Sequence, residues 1–218
     1  MAGMAGSACV GLDHPDSGIG AALMSNSYPL TSEVVCVERV ARWRPLVNWV
    51  LVIPLYLWLL VLGYGAVVVS LAGWFAILFT GRLPQPLGDY QVAVLRYQWR
   101  VAAFLYGLTT SYPGFPVVAG YVDPGEYPAV LYSARPARRR RVTVFFRAVL
   151  VIPQLVVLYF VNLAAAVVLF AGWFAVLVTG RWPQELRSFV IGWMRWTLRV
   201  SGYLYLIVDD YPPFGFQA

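Results

Sequence analysis

The sequence predicts an all-α membrane protein made of two tandem repeats, each a long apolar helix or helical hairpin followed by an amphipathic helix rich in Arg and aromatic residues. Three observations support this prediction: the composition, an internal repeat, and two long runs without charge. Of 218 residues, 60% are hydrophobic and 12% are charged, and the mean hydropathy is +0.67. Soluble domains are about 45–50% apolar and 25% charged. The composition therefore excludes a disordered chain, a collagen and a disulfide scaffold, and argues against a water-soluble domain.

The chain repeats itself at an offset of 99 residues. The segment Ala72–Ala76 (AGWFA) returns as Ala171–Ala175, and Thr80-Gly81-Arg82 returns as Thr179-Gly180-Arg181. Further pairs at the same offset are Val52-Ile53-Pro54 with Val151-Ile152-Pro153, Arg96 with Arg195, Arg100 with Arg199, and Tyr112-Pro113 with Tyr211-Pro212. Internal duplication is a common way to build membrane proteins.

The repeat divides the chain into four parts. We expect a disordered N-terminal tail (1–37), repeat 1 (38–118), a Pro/Gly loop with a basic linker (119–141) and repeat 2 (142–218). The tail holds the single histidine, His14, and both cysteines, Cys9 and Cys36. These three residues have no metal-ligand spacing, so we expect no metal, no cofactor and two free thiols.

Each repeat begins with a long apolar run, Pro45 to Thr80 in the first copy and Ala148 to Gly180 in the second. A straight helix of this length would measure about 50 Å, against a hydrocarbon core of about 30 Å. Two solutions are open. One is a strongly tilted helix, and the other, which we favour, is a hairpin that turns near Gly63-Tyr64-Gly65 and near Asn162.

The second part of each repeat is shorter, aromatic and carries two arginines one helical turn apart. These are Arg96 and Arg100 in repeat 1, and Arg195 and Arg199 in repeat 2. An arginine inside hydrocarbon costs about 2.5–3.5 kcal/mol. We therefore expect this segment to lie on the membrane surface, where the arginines form an anion or lipid-phosphate site or serve as interface anchors.

The remaining basic residues predict the topology. All 16 basic residues are Arg, and they flank the apolar runs. By the positive-inside rule, both repeats begin in the cytoplasm, which predicts a multi-pass protein of the inner (plasma) membrane with cytoplasmic termini. The residues assigned to topology or the interface are Arg82, Arg181, Arg138, Arg139, Arg140 and Arg141. In the alternative four-span arrangement, Arg82 and Arg181 face outward.

The repeated motifs resemble a known family. The string Gly73–Arg82, the arginine pair and Tyr112-Pro113-Gly114-Phe115 are similar to the actinobacterial membrane family called domain of unknown function 4389. The second copy matches through Gly172–Ala175, Thr179–Arg181 and Asp209–Phe214. The first copy departs from the family pattern at the Asp pair, where it has Thr110-Ser111. The resemblance implies a multi-pass inner-membrane protein, and the family label carries no activity.

No constellation of nucleophile, base and metal ligand is recognisable, so we expect no enzyme. The favoured function is a non-enzymatic accessory or scaffold subunit that binds anionic lipid headgroups, a larger membrane complex, or both, and no nucleic acid. The alternative is a small transporter or channel with an anion site at the arginine pairs.

Overall fold

A computed structural model describes residues 28–37, 39–134 and 141–216. These residues form five helices and two strands, which we number in chain order: β1 (Leu30–Val34), α1 (Arg44–Thr80), α2 (Gln85–Leu105), β2 (Ala129–Ser133), α3 (Arg141–Leu150), α4 (Ile152–Thr179) and α5 (Gln184–Leu204). The predicted two-copy helical architecture is confirmed. Two helical stretches, Arg44–Thr80 and Thr143–Thr179, are long and apolar enough to cross a membrane.

The two copies are related by a pseudo-two-fold axis that passes through the sheet. Strands β1 and β2 pair antiparallel, and the central pair is Ser32 with Leu131, two positions that the 99-residue offset also relates. Contacts beyond the sheet obey the same relation. The Trp74 Nε1 donates to the Val144 carbonyl at 3.0 Å, and the Trp173 Nε1 donates to the Pro45 carbonyl at 3.4 Å. The C-terminal part of each long helix therefore meets the N-terminal part of the other copy.

The long apolar runs are not hairpins, so the favoured prediction is wrong. Helix α1 is continuous over 37 residues and contains Pro54, and α4 passes through Asn162 without a turn. At Gly65 the hydroxyl end of the Tyr90 side chain, from α2, occupies the space that a Cβ would fill. The Tyr90 hydroxyl donates to the Leu62 carbonyl at 3.0 Å. The glycine thus serves helix packing rather than a turn.

Helices α2 and α5 pack lengthwise against α1 and α4 instead of lying apart from them. The Asn48 Nδ2, near the start of α1, donates to the carbonyl of Phe104 at the end of α2 at 3.2 Å. Towards the other end, the Gln91 Nε2 donates to the Ala66 carbonyl at 2.8 Å. Helix α2 therefore runs antiparallel to α1 and packs against it along most of its length.

The molecule has three layers along the axis. The sheet lies over α2 and α5, since the Trp99 Nε1 donates to the Glu33 carbonyl at 3.3 Å and the Arg195 Nε donates to the Ser32 carbonyl at 3.2 Å. The opposite faces of α2 and α5 pack on α1 and α4. Helices α1 and α4 thus form the layer farthest from the sheet.

Two expectations for the N-terminal segment are wrong. Residues 30–34 form β1, whereas the disordered tail was expected to continue to residue 37. Cys36 is disulfide-bonded rather than a free thiol. The linker likewise contains a strand, β2. Residues 1–27, with Cys9 and His14, lie outside the described part of the chain.

Candidate functional site

Each long helix ends in the same basic turn. Gly81 and Gly180 cap α1 and α4 in the left-handed conformation, at φ 73° and 70°. In each turn the threonine hydroxyl accepts a hydrogen bond from the backbone N–H of the arginine two residues later, at 3.2 Å for both Thr80 and Thr179. The turn places Arg82 and Arg181 just beyond the ends of the two apolar helices.

The first arginine pair is buried and shares one carboxylate, that of Asp123. Arg96 Nε lies 2.9 Å from Asp123 Oδ2, and Arg100 Nη2 donates to Asp123 Oδ1 at 2.9 Å. The Asp123 side chain has no exposed surface, and the Arg96 guanidinium also donates to the carbonyls of Val118 and Gly120. Both arginines therefore hold the linker onto α2.

In the second pair Arg199 is buried, Arg195 is half-buried, and no carboxylate bridges the two. Arg199 Nη2 donates to the Gly215 carbonyl at 2.7 Å, but its buried Nε and Nη1 have no hydrogen-bond partner among the described residues. Arg195 donates to Ser32 of β1 and lies near Glu33. Burial raises the pKa of the Glu33 carboxyl, and the nearby Arg195 partly offsets this by lowering it. The sequence predicts the pairing of these arginines on one helix face but not their enclosure.

A second basic cluster lies near the end of α4. Arg39 and Arg42, from the segment before α1, meet Arg181 around an open pocket of about 530 Å³. The Val40 backbone N–H donates to the Gly180 carbonyl at 3.0 Å, which fixes this segment against the turn. Of the predicted linker residues, Arg138, Arg139 and Arg140 lie outside the described residues; Arg141 begins α3, and its side chain is not described.

Most of the exposed large apolar side chains of the described residues belong to α1 and α4. Only one stripe of each helix is buried, and the rest of the circumference is exposed. The exposed side chains include Trp49, Tyr64, Phe79, Tyr159, Phe170 and Val178. Soluble monomers rarely expose apolar patches larger than a few hundred Å². The surface is suited to contact with lipid.

The comparisons with known proteins are informative about the family alone. A family model described as "Domain of unknown function (DUF4389)" matches residues 42–117 and 141–215, which together make up more than half of the chain. The chain belongs to this family. No curated protein and no solved structure matches it. The DUF4389 match covers both predicted repeats and thus confirms the duplication.

Two features escaped the sequence reasoning. No sequence motif singles out Asp123, although it anchors the first arginine pair. The strands also belong to the repeat, and their signal was visible, because Tyr28-Pro29 returns as Tyr127-Pro128 at the offset of 99. The Tyr28 hydroxyl donates to the Asp210 carbonyl and the Tyr127 hydroxyl to the Ser111 carbonyl, again at equivalent positions.

Proposed function

We propose that this DUF4389 protein is a non-enzymatic membrane accessory or scaffold subunit that embeds α1 and α4 in the bilayer and presents its sheet and linker to the aqueous side. The observation that carries the proposal is the exposed apolar surface of these two helices at one end of the pseudo-two-fold axis. The scaffold would bind anionic lipid, a larger membrane complex, or both.

The symmetry favours long helices that lie along the membrane. Rotation about an axis preserves height along it, so Trp74 and Trp173 lie at about the same height. Because Trp173 bonds to Pro45, the residues Pro45 and Trp74 also lie at similar heights. They are about 44 Å apart along α1. Helix α1 therefore runs nearly perpendicular to the axis, and symmetry requires the same of α4.

The sheet indicates how the axis meets the bilayer. If α1 and α4 stood upright, the axis would lie in the membrane plane and the two-stranded sheet would sit at the depth of the helix centres. Open sheet edges do not occur in contact with hydrocarbon, since their backbone groups would be unpaired. An axis along the membrane normal instead keeps the sheet in water and immerses both helices, as an interfacial helix is immersed.

Depth measurement tests this arrangement. A fluorescent amino acid is placed in turn at Trp49, Tyr64 and Phe79 of the full-length protein, and quenching is compared between lipids brominated near the headgroup and near the chain end. We expect similar depth at all three positions. A matched label at the exposed Val122 of the linker should escape quenching. A deep Tyr64 between two shallow ends would instead support the multi-pass topology.

The accessory role requires its own test. Purification in mild detergent, followed by identification of the proteins and lipids that migrate with the chain, should recover a larger complex or anionic lipid. A monodisperse protein free of both would contradict the role.

The rival function, a transporter, predicts that Arg195→Gln abolishes an anion flux in proteoliposomes while the fold survives.

A further inference from the structure

An apolar cavity of about 480 Å³ lies where α1, α2 and the C-terminal half of α4 meet. Its lining includes Trp49, Leu105, Gly107, Phe170 and Trp182. Trp49 and Phe170 are also exposed on the apolar surface, so the cavity is continuous with the proposed lipid-facing side. Ligand pockets typically measure about 300–1,000 Å³.

In the described part of repeat 2, a side chain fills the place that is equivalent to Gly107. Position 107 is related to position 206, and Gly107 (φ 68°) and Leu206 (φ 61°) share the left-handed backbone conformation. Leu206 is buried against Ile77 and Val144. A leucine rarely adopts this conformation. The cavity beside Gly107 is therefore open in the first half, whereas Leu206 fills the equivalent place in the second half.

A cluster of three arginines adjoins the cavity. Val40 lines both the cavity and the basic pocket of Arg39, Arg42 and Arg181. Within the described part of the chain, no ion pair engages these three guanidinium groups. Guanidinium groups bind phosphate oxygens in a bidentate manner. An apolar cavity and a free cationic cluster therefore meet at one residue, which matches the two ends of an anionic lipid.

We propose that this protein binds one anionic phospholipid in a specific site, with an acyl chain in the cavity beside Gly107 and the phosphate at Arg39, Arg42 and Arg181. The inference rests on the proposed membrane attachment and adds a site, a ligand class and a stoichiometry. The sequence repeats the cationic group as Arg82, Arg138 and Arg141, but Leu206 leaves no room for a chain there. One lipid is bound per chain although the fold is duplicated.

Photolabelling tests the site. The purified full-length protein is exposed to phosphatidylglycerol with a photoreactive acyl chain, and labelled residues are mapped by mass spectrometry. We expect labels at the cavity, near Leu105 and Trp182. Gly107→Leu should reduce them about tenfold, which corresponds to displacing about two buried methylene groups. Leu206 shows that the backbone accepts leucine in this conformation.

The arginine and lipid controls separate the headgroup from the chain. Arg42→Gln and Arg181→Gln should each weaken labelling about fivefold. Phosphatidylcholine with the same photoreactive chain should label weakly, and inorganic phosphate should compete poorly. Equal labelling by both lipids would overturn the headgroup assignment. Full competition by inorganic phosphate would indicate a free-anion site and overturn the proposal.

The reciprocal variant, Leu206→Gly, should create a second labelled region near Trp74 and Leu83. Its absence would contradict the role of Leu206 in excluding lipid.

Vesicle flotation of the unsubstituted protein and of Gly107→Leu distinguishes the two levels of the hypothesis. If neither floats, the membrane attachment is wrong. If both float but Gly107→Leu is labelled as strongly as the unsubstituted protein, only the lipid site is wrong.

Discussion

The two repeats place the same arginine pair in different electrostatic surroundings. Arg96 and Arg100 share the buried carboxylate of Asp123, which the linker supplies. Arg199 receives only the Gly215 carbonyl, and two of its buried nitrogens have no hydrogen-bond partner in the described residues. The comparison shows that duplication preserved the arginines of the helices, whereas their partners come from the less regular segments that cover them.

Removal of the shared carboxylate should have the largest effect, because it makes the first pair resemble the second. Asp123→Asn leaves two buried guanidinium groups without a counter-charge and should lower the free energy of unfolding by about 3–5 kcal/mol. Thermal unfolding in detergent measures the loss. The control is Glu126→Gln, which neutralises an exposed acid of the same loop. An equal effect of the two variants would show that Asp123 has no special role.

The second largest loss of stability should come from the equivalent positions 107 and 206, where repeat 1 has a glycine beside a cavity and repeat 2 has a buried leucine. Leu206→Gly removes a buried side chain and should lower the free energy of unfolding by about 2–4 kcal/mol, after allowance for relief of the unfavourable backbone conformation. Gly107→Ala adds a methyl group 3.5 Å from Trp182 Nε1 on a left-handed backbone, so it should cost only about 1–2 kcal/mol, which is mainly backbone strain. Chemical unfolding with an unchanged denaturant dependence would attribute the difference to packing.

These contrasts explain what the sequence predicted and what it did not. The helices, the duplication and the arginine pairing follow from hydrophobic periodicity and the 99-residue offset, which are local or repeated signals. The hairpin prediction failed because Gly63 and Gly65 suggest a turn, whereas Gly65 accommodates Tyr90 of another helix. The enclosure of Arg96 depends on a long-range contact with Asp123, 27 residues later in the chain, and no spacing rule encodes it.

The loss of unfolding free energy should differ by a smaller amount between two variants that each remove one arginine from its pair. Arg100→Met takes a hydrogen-bonded partner from buried Asp123, whereas Arg199→Met removes a guanidinium that is only partly satisfied. Methionine retains much of the aliphatic packing in both cases. We expect Arg100→Met to be the more destabilising by about 1–3 kcal/mol. Paired unfolding curves measure this difference, and equal losses would mean that the two environments are energetically alike.

The smallest effects should come from the contacts that the two copies share. Trp74→Phe and Trp173→Phe each remove one indole hydrogen bond, to Val144 and Pro45, and should each cost about 0.5–1.5 kcal/mol. The Trp74 bond, at 3.0 Å, should contribute more than the Trp173 bond, at 3.4 Å. The Trp74 bond joins α1 to α3 and the Trp173 bond joins α4 to the start of α1, so the double variant should loosen the packing at both contacts. Increased hydrogen exchange at both helix ends would support this symmetry, and exchange confined to one end would contradict it.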